Sequence, residues 1–208
     1  MKYEWKKQEK AFYLPPSEPG LIKVPAYPYF MVTGNGNPNS DEFAEAVGVL
    51  YSLSYAVKML PKKGPAPEGY HEYSIFPLEG VWDLSEQGRL KAELDKDELV
   101  YNIMIRQPDF VTPVLAAEMM EKVKRAKPQP LLDRAVFASC EDGLCVQMLH
   151  LGPYDNEPAS FRRMEEYCRL NGLRRISKTH REIYITDNRR TKPENLKTVL
   201  RFLVSREE

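Results

Sequence analysis

"FMVTGNGNPNSDEFAEAVGVLY", Phe30 to Tyr51, lays out a plan that the chain uses twice. It reads as a strand, a Gly-Asn-Gly turn whose residues tolerate positive φ, and a helix opened by Asn39, Ser40 or Asp41 as N-cap. Phe43, Val47, Leu50, Ser54 and Val57 follow at helical spacing, and Pro61 stops the helix. "VQMLHLGPYDNEPASFRRMEEYC", Val146 to Cys168, runs in the same order: strand, Gly-containing turn, a helix start rich in Asn, Pro and acid, then helix. Each copy leads on to a strand with a glutamate, in "FPLEGVW" (Phe76 to Trp82) and "HREIYIT" (His180 to Thr186). Gly34 falls opposite Gly152, and Glu79 opposite Glu182. Each half is a β-α-β-β unit whose single helix covers one sheet face. Two such modules predict an α+β fold of pseudo-twofold symmetry: an antiparallel sheet, helices on one face and a ligand groove on the other.

Outward from these copies, residues 1–23 are rich in Pro, Lys and Glu and read as an extended arm over the surface, without a helix. "KKGPAPEG" is a loop, and "YHEYSIFPLEGVW" a strand in which Pro77 predicts an edge or a bulge. "ELVYNIMIR" is a further strand, and "PDFVTPVLAAEMMEKVKRAK" a helix announced by Thr112 before Pro113. "DRAVFASC" and "LCVQMLHLG" are expected to form a hairpin around "EDGL". "LKTVLRFLV" is the last strand, an edge open to a second copy or to the N-terminal arm. One domain is expected over residues 24–204, with module one about 24–106, a connecting helix about 111–127, and module two about 132–204.

In this 208-residue chain, 30 Lys and Arg balance 30 Asp and Glu, so no global field favours nucleic acid or an anionic membrane. No apolar run reaches the roughly 20 residues that cross a bilayer, and the charged start "MKYEWKKQEK" lacks the core of a signal peptide. The expectation is a cytoplasmic protein with a small-molecule partner, no nucleic acid and no membrane, and with a homodimer left open. Cys140, Cys145 and Cys168 lack the spacing of a disulfide framework or zinc site, so no metal or cofactor is expected. "TGNGN" lacks the lysine of a phosphate loop and is a tight turn. "RLNGLRR" and "DNRRTK" are solvated basic clusters.

"THREIYITD", Thr179 to Asp187, carries the candidate chemistry. Ile183 and Ile185 share one face of the strand, while His180, Glu182, Tyr184 and Thr186 share the other. The first suits a core. The second either meets bulk water or lines a cavity, and the groove left by the duplication favours the cavity. Tyr154 lies in the turn before a helix, as either a rim residue or a hydrogen-bond donor to the ligand. Glu79 is either a second pocket carboxylate or an edge charge. Trp82 is either a stacking platform or a core anchor. Tyr51 and Tyr55, at i and i+4, are expected to pack on the sheet, with one phenol in reach of the pocket end. His71 and His150 have no serine or cysteine at triad spacing and read as hydrogen-bonded structural residues.

These stretches, together with "PLEGVW", "IMIRQPDFVT", "HLGPYDNEPASFRRM" and "NGL", resemble the GyrI-like small-molecule-binding proteins from about Val24 to Val204. The stand-alone branch is the one resembled, since no stretch reads as a helix-turn-helix. The resemblance implies a groove for flat, amphipathic or cationic organic molecules with a glutamate at its floor, here Glu182. Some stand-alone members hydrolyse cyclopropane-bearing alkylating natural products and others only bind drugs. The likeness thus implies xenobiotic resistance by hydrolysis, with sequestration or a gyrase-type interaction as alternatives. For hydrolysis, Glu182 would be the general base for water and Tyr154 would steady the developing oxyanion. Glu79, Trp82, Tyr55, Tyr184 and His180 would line the ligand.

Overall fold

A computed structural model describes residues 2–62 and 64–207; Met1 of the expected arm and Lys63 of the expected loop lie outside the described residues. In chain order the elements are α1 (Trp5–Gln8), α2 (Lys10–Tyr13), β1 (Gly20–Val24), β2 (Tyr27–Asn35), α3 (Asp41–Lys58), β3 (Leu78–Leu84) and β4 (Leu99–Arg106). They continue as α4 (Pro113–Ala126), β5 (Ala135–Cys140), β6 (Gly143–Leu151), α5 (Glu157–Leu170), β7 (Leu173–Arg175), β8 (His180–Tyr184) and β9 (Lys197–Arg206). The class is α+β with antiparallel strand pairing, as expected. The chain forms two compact units.

The first unit holds Tyr27–Leu78 and Trp82–Cys140 with the residues before Trp5. β2 lies between β4 and β5, with Phe30 opposite both Ile105 and Phe137. Helix α3 starts where Ser40 Oγ accepts the Phe43 amide at 3.2 Å, and Asp41 and Glu42 complement its dipole in the first turn. It buries Ala46, Val49, Leu50, Leu53 and Val57, the larger of them adding roughly 1.5–3 kcal/mol each. Gly34 is required by packing: it faces Tyr101 across the β2–β4 ladder, and a Cβ there would run into the Tyr101 ring. The run before β3 is not a strand; β3 begins at Leu78, directly after Pro77, and Tyr73 makes a single bridge to Tyr3. Pro77 has no N–H to give a ladder, which accounts for the late start.

The second unit holds Trp5–Ala26, Glu79–Val81 and the chain from Glu141 on. β6 pairs with β1 on one side and β9 on the other, and β9 pairs in turn with β8 and β7. Helix α5 packs Met164 and Cys168 against Val146, Met148, Leu200, Phe202 and Val204 on one sheet face. The opposite face carries a buried polar rung, because Gln147 pairs with Arg201 and Arg201 with Arg181. Arg201 donates to Gln147 Oε1 (2.8 and 3.1 Å) and to the Phe12 carbonyl (3.0 Å), and Gln147 Nε2 donates to the Ala11 carbonyl (2.6 Å).

Several expectations change here. The N-terminal segment is no featureless arm: it forms α1 and α2, buries Trp5 against Tyr13 (ring centroids 5.2 Å), and ends in β1 on the edge of β6. Buried donors on the rung need acceptors, and the main chain of residues 11 and 12 supplies them. β5 and β6 are not a hairpin, since β5 pairs with β2 and β6 with β1 and β9. β9 is not an edge.

Candidate functional site

β8 alternates as its sequence demands. Arg181 and Ile183 are buried on one face, and His180, Glu182 and Tyr184 project half-buried from the other. Glu182 pairs with Leu200, so it stands on the face that α5 covers, and not on a bare face across from the helix. The acid looks at the start of α5, where a short turn, Tyr154–Asn156, runs into Glu157 and Pro158.

A phenol and an imidazole hold Glu182. The Tyr184 hydroxyl donates to Oε2 at 2.8 Å, and His180 Nε2 lies 3.2 Å from Oε1. Phe161 meets the His180 ring edge-on at 4.8 Å, and Tyr154 meets Tyr184 edge-on at 6.0 Å. Glu157 faces Glu182 and is only 6 % exposed; its Oε1 is buried without a hydrogen-bond partner. Burial first, then the Glu182 charge, a hydrogen bond to Glu182 and the Asp155 charge hold the Glu157 carboxyl well above the usual carboxylate range. The N-terminus of α5 favours an anion by roughly 0.3–1 kcal/mol, a small effect beside the desolvation of a buried carboxylate. Burial thus favours the protonated form of Glu157, hydrogen-bonded to Glu182. Burial, with the charges of Glu182, Glu157 and Asp187, pushes the Tyr154 phenol up to about 12, so it too keeps its proton.

The turn that presents Tyr154 is itself held. His150 is buried with Nε2 3.1 Å from the Pro153 carbonyl and Nδ1 2.9 Å from Ser160 Oγ. A carbonyl can only accept, so Nε2 carries a proton and donates to it. Gly152 precedes this turn at φ +117°, a conformation that favours glycine.

Of the residues singled out from the sequence, Glu182, Tyr184, His180 and Tyr154 come together. Glu79 does not join them. It is 1 % exposed and paired with Arg181 Nη1 at 2.9 Å, on the sheet face opposite Glu182. Arg181 also takes Asp142 in a fork (2.8 and 2.6 Å), with Arg201 Nη1 3.6 Å from the same carboxylate. Burial would raise the Asp142 carboxyl, but the charges and hydrogen bonds of Arg181 and Arg201 outweigh it and hold it below the usual range. Trp82 is 5 % exposed in the first unit, stacked on Phe43 (5.8 Å, 28°) and tilted on Tyr101 (5.5 Å). Tyr55, expected to pack on the sheet, is 52 % exposed, because the buried stripe of α3 runs through Leu50, Leu53, Ser54 and Val57. Glu157, Arg181 and Asp142 were not singled out. Arg181 did leave a signal, as a charged residue alternating with Ile183 on the face assigned to the core.

Residues 17–204 match the GyrI-like small molecule binding domain. The chain belongs to the GyrI-like family. It is similar to a hydrolase from Listeria innocua at 34% identity, with 98% of this chain and 100% of that one covered and a TM-score of 0.88. A second structure from Listeria innocua, also described as a hydrolase, shares 36% identity over 99% and 100% of the two chains, with a TM-score of 0.90. The C-terminal domain of EcmrR shares the fold at 13% identity, with a TM-score of 0.56 over 91% of this chain and 98% of that one. Among curated proteins, none matches significantly. This GyrI-like chain is thus a small-molecule-binding domain, and none of its described helices is long and apolar enough to cross a membrane.

Proposed function

We propose that this GyrI-like protein hydrolyses cyclopropane-containing electrophiles at Glu182. The observation that supports this is a carboxylate held by Tyr184 and His180 beside the protonated Glu157. Glu182 takes a proton from water as the water oxygen bonds to a cyclopropane carbon. The breaking carbon–carbon bond sends its electron pair into a conjugated carbonyl, and the resulting oxyanion is met by the Tyr154 phenol and ends protonated. The similarity to two Listeria innocua structures described as hydrolases supports the same reading.

Incubation with a cyclopropane-bearing alkylator, followed by mass spectrometry, should yield the product with one added water. Glu182→Gln should lower turnover about 10²- to 10⁴-fold, the usual worth of a positioned base, with the fold unchanged. Ligand that binds and returns intact from the wild-type protein would instead establish a sequestering function, and turnover surviving in Glu182→Gln would remove Glu182 as the base.

A further inference from the structure

The Glu157–Glu182 pair differs from an ordinary surface acid cluster in one respect. Its deeper member is more than nine-tenths buried, with an oxygen that has no hydrogen-bond partner. Two carboxyl groups that share a dry space cannot both ionise unless a positive charge arrives, so the pair holds a proton between them until one does. The surroundings supply no fixed replacement among the groups the structure brings to the pair. From β8 come His180 and Tyr184. From the turn before α5 come Tyr154 and Asp155, and from beyond β8 Asp187 acts on Tyr154 while itself paired with Arg189 (2.9 Å) and Arg190 (3.9 Å). From β6, His150 is spent on Ser160 and Pro153. β9 contributes Leu200 opposite Glu182 and Thr198 opposite Tyr184, and α5 adds the Phe161 ring edge-on to His180. Acid and aromatic rings together make a setting for a flat organic cation.

We propose that the Glu157–Glu182 pair trades its shared proton for the charge of the ligand: a flat organic cation expels the proton, whereas a neutral carbonyl ligand leaves it in place. This rests on the reading above that ligands occupy the space beside Glu182. The cation gains two carboxylates in place of one, and the proton leaves to solvent. The neutral ligand needs the proton, since without it the pair is doubly charged and repels the ligand's carbonyl oxygen, for which the Tyr154 phenol is the donor. The site therefore favours neutral ligands at lower pH and cations at higher pH.

The test uses two probes of nearly equal shape, N-methylacridinium and N-methylacridone, titrated calorimetrically in buffers of different ionisation enthalpy at neutral pH. The cation should release about one proton on binding and the acridone none, and cation affinity should rise by up to about tenfold per pH unit below the point at which Glu157 ionises. Glu157→Gln should bind the cation more weakly at high pH, through Glu182 alone, and lose both the proton release and the pH slope. Cation binding without proton release, or release that persists in Glu157→Gln, would overturn the exchange while leaving the ligand site standing. Failure of both probes to bind at any pH would overturn the site itself. Should Glu157→Gln not fold, the wild-type proton count decides alone.

Discussion

The two glutamates that the duplication lays over one another, Glu79 and Glu182, live in opposite electrostatic worlds. Glu79 is 1 % exposed and answered by Arg181, which also grips Asp142. Glu182 is held by a phenol and an imidazole and faces a second acid, Glu157. The difference comes from parity along a strand. β3 turns Trp82 toward Phe43 of α3, so Glu79, three residues earlier, points to the other face. β8 turns Glu182 toward α5. A one-residue offset is enough to put an acid in a closed ion cluster or in a site whose charge a ligand can use.

Breaking the closed cluster should give the largest effect. Arg181→Met leaves Glu79 and Asp142 buried without their main cation and should cost about 3–5 kcal/mol in urea unfolding, whereas Glu182→Gln should cost less than about 1 kcal/mol. Similar losses for the two variants would erase the distinction. The paired glycines sharpen it at intermediate size. Gly34→Ala drives a Cβ into the Tyr101 ring and should cost about 1–3 kcal/mol. Gly152→Ala meets nothing within 4 Å and bears only the strain of φ +117°, about 1–2 kcal/mol. The smaller cost should fall on Gly152, read by thermal unfolding of both.

A further effect is one of pH and sign. Glu157 has a raised carboxyl in the folded protein, so its contribution to stability is full below the ordinary carboxylate range and is lost as pH climbs from there toward the folded value. Asp142 is lowered, so its contribution is present above the ordinary range and is lost as pH falls through its folded value. Glu157→Gln should therefore melt above wild type at about pH 8 and with it at about pH 4. Parallel melting curves across that span would show that Glu157 is not held protonated.

Much of this was legible because it is local and periodic. The strand-turn-helix order of both copies, the alternation of β8, and the company of Glu182, Tyr184 and His180 follow from residue spacing alone. The rest depends on partners distant in sequence. α1 and α2 are single turns too short to show a helical period, and they form where Gln147 and Arg201 need carbonyls. β5 sits beside β6 in the chain yet pairs with β2, a choice that no local turn signal encodes. Arg181 was not singled out because its two acids lie 39 and 102 positions away. Glu157 was one acid of an Asn-, Pro- and acid-rich helix start, and only its burial against Glu182 sets it apart.

The clasp on the N-terminal segment has a consequence for sequence drift. Gln147 and Arg201 grip the carbonyls of Ala11 and Phe12, not their side chains. Every amino acid presents the same oxygen, so substitution at those positions leaves the grip intact, while losing or inserting a residue there shifts the oxygens out of register. Positions 11 and 12 are thus free to vary in letters and constrained in length.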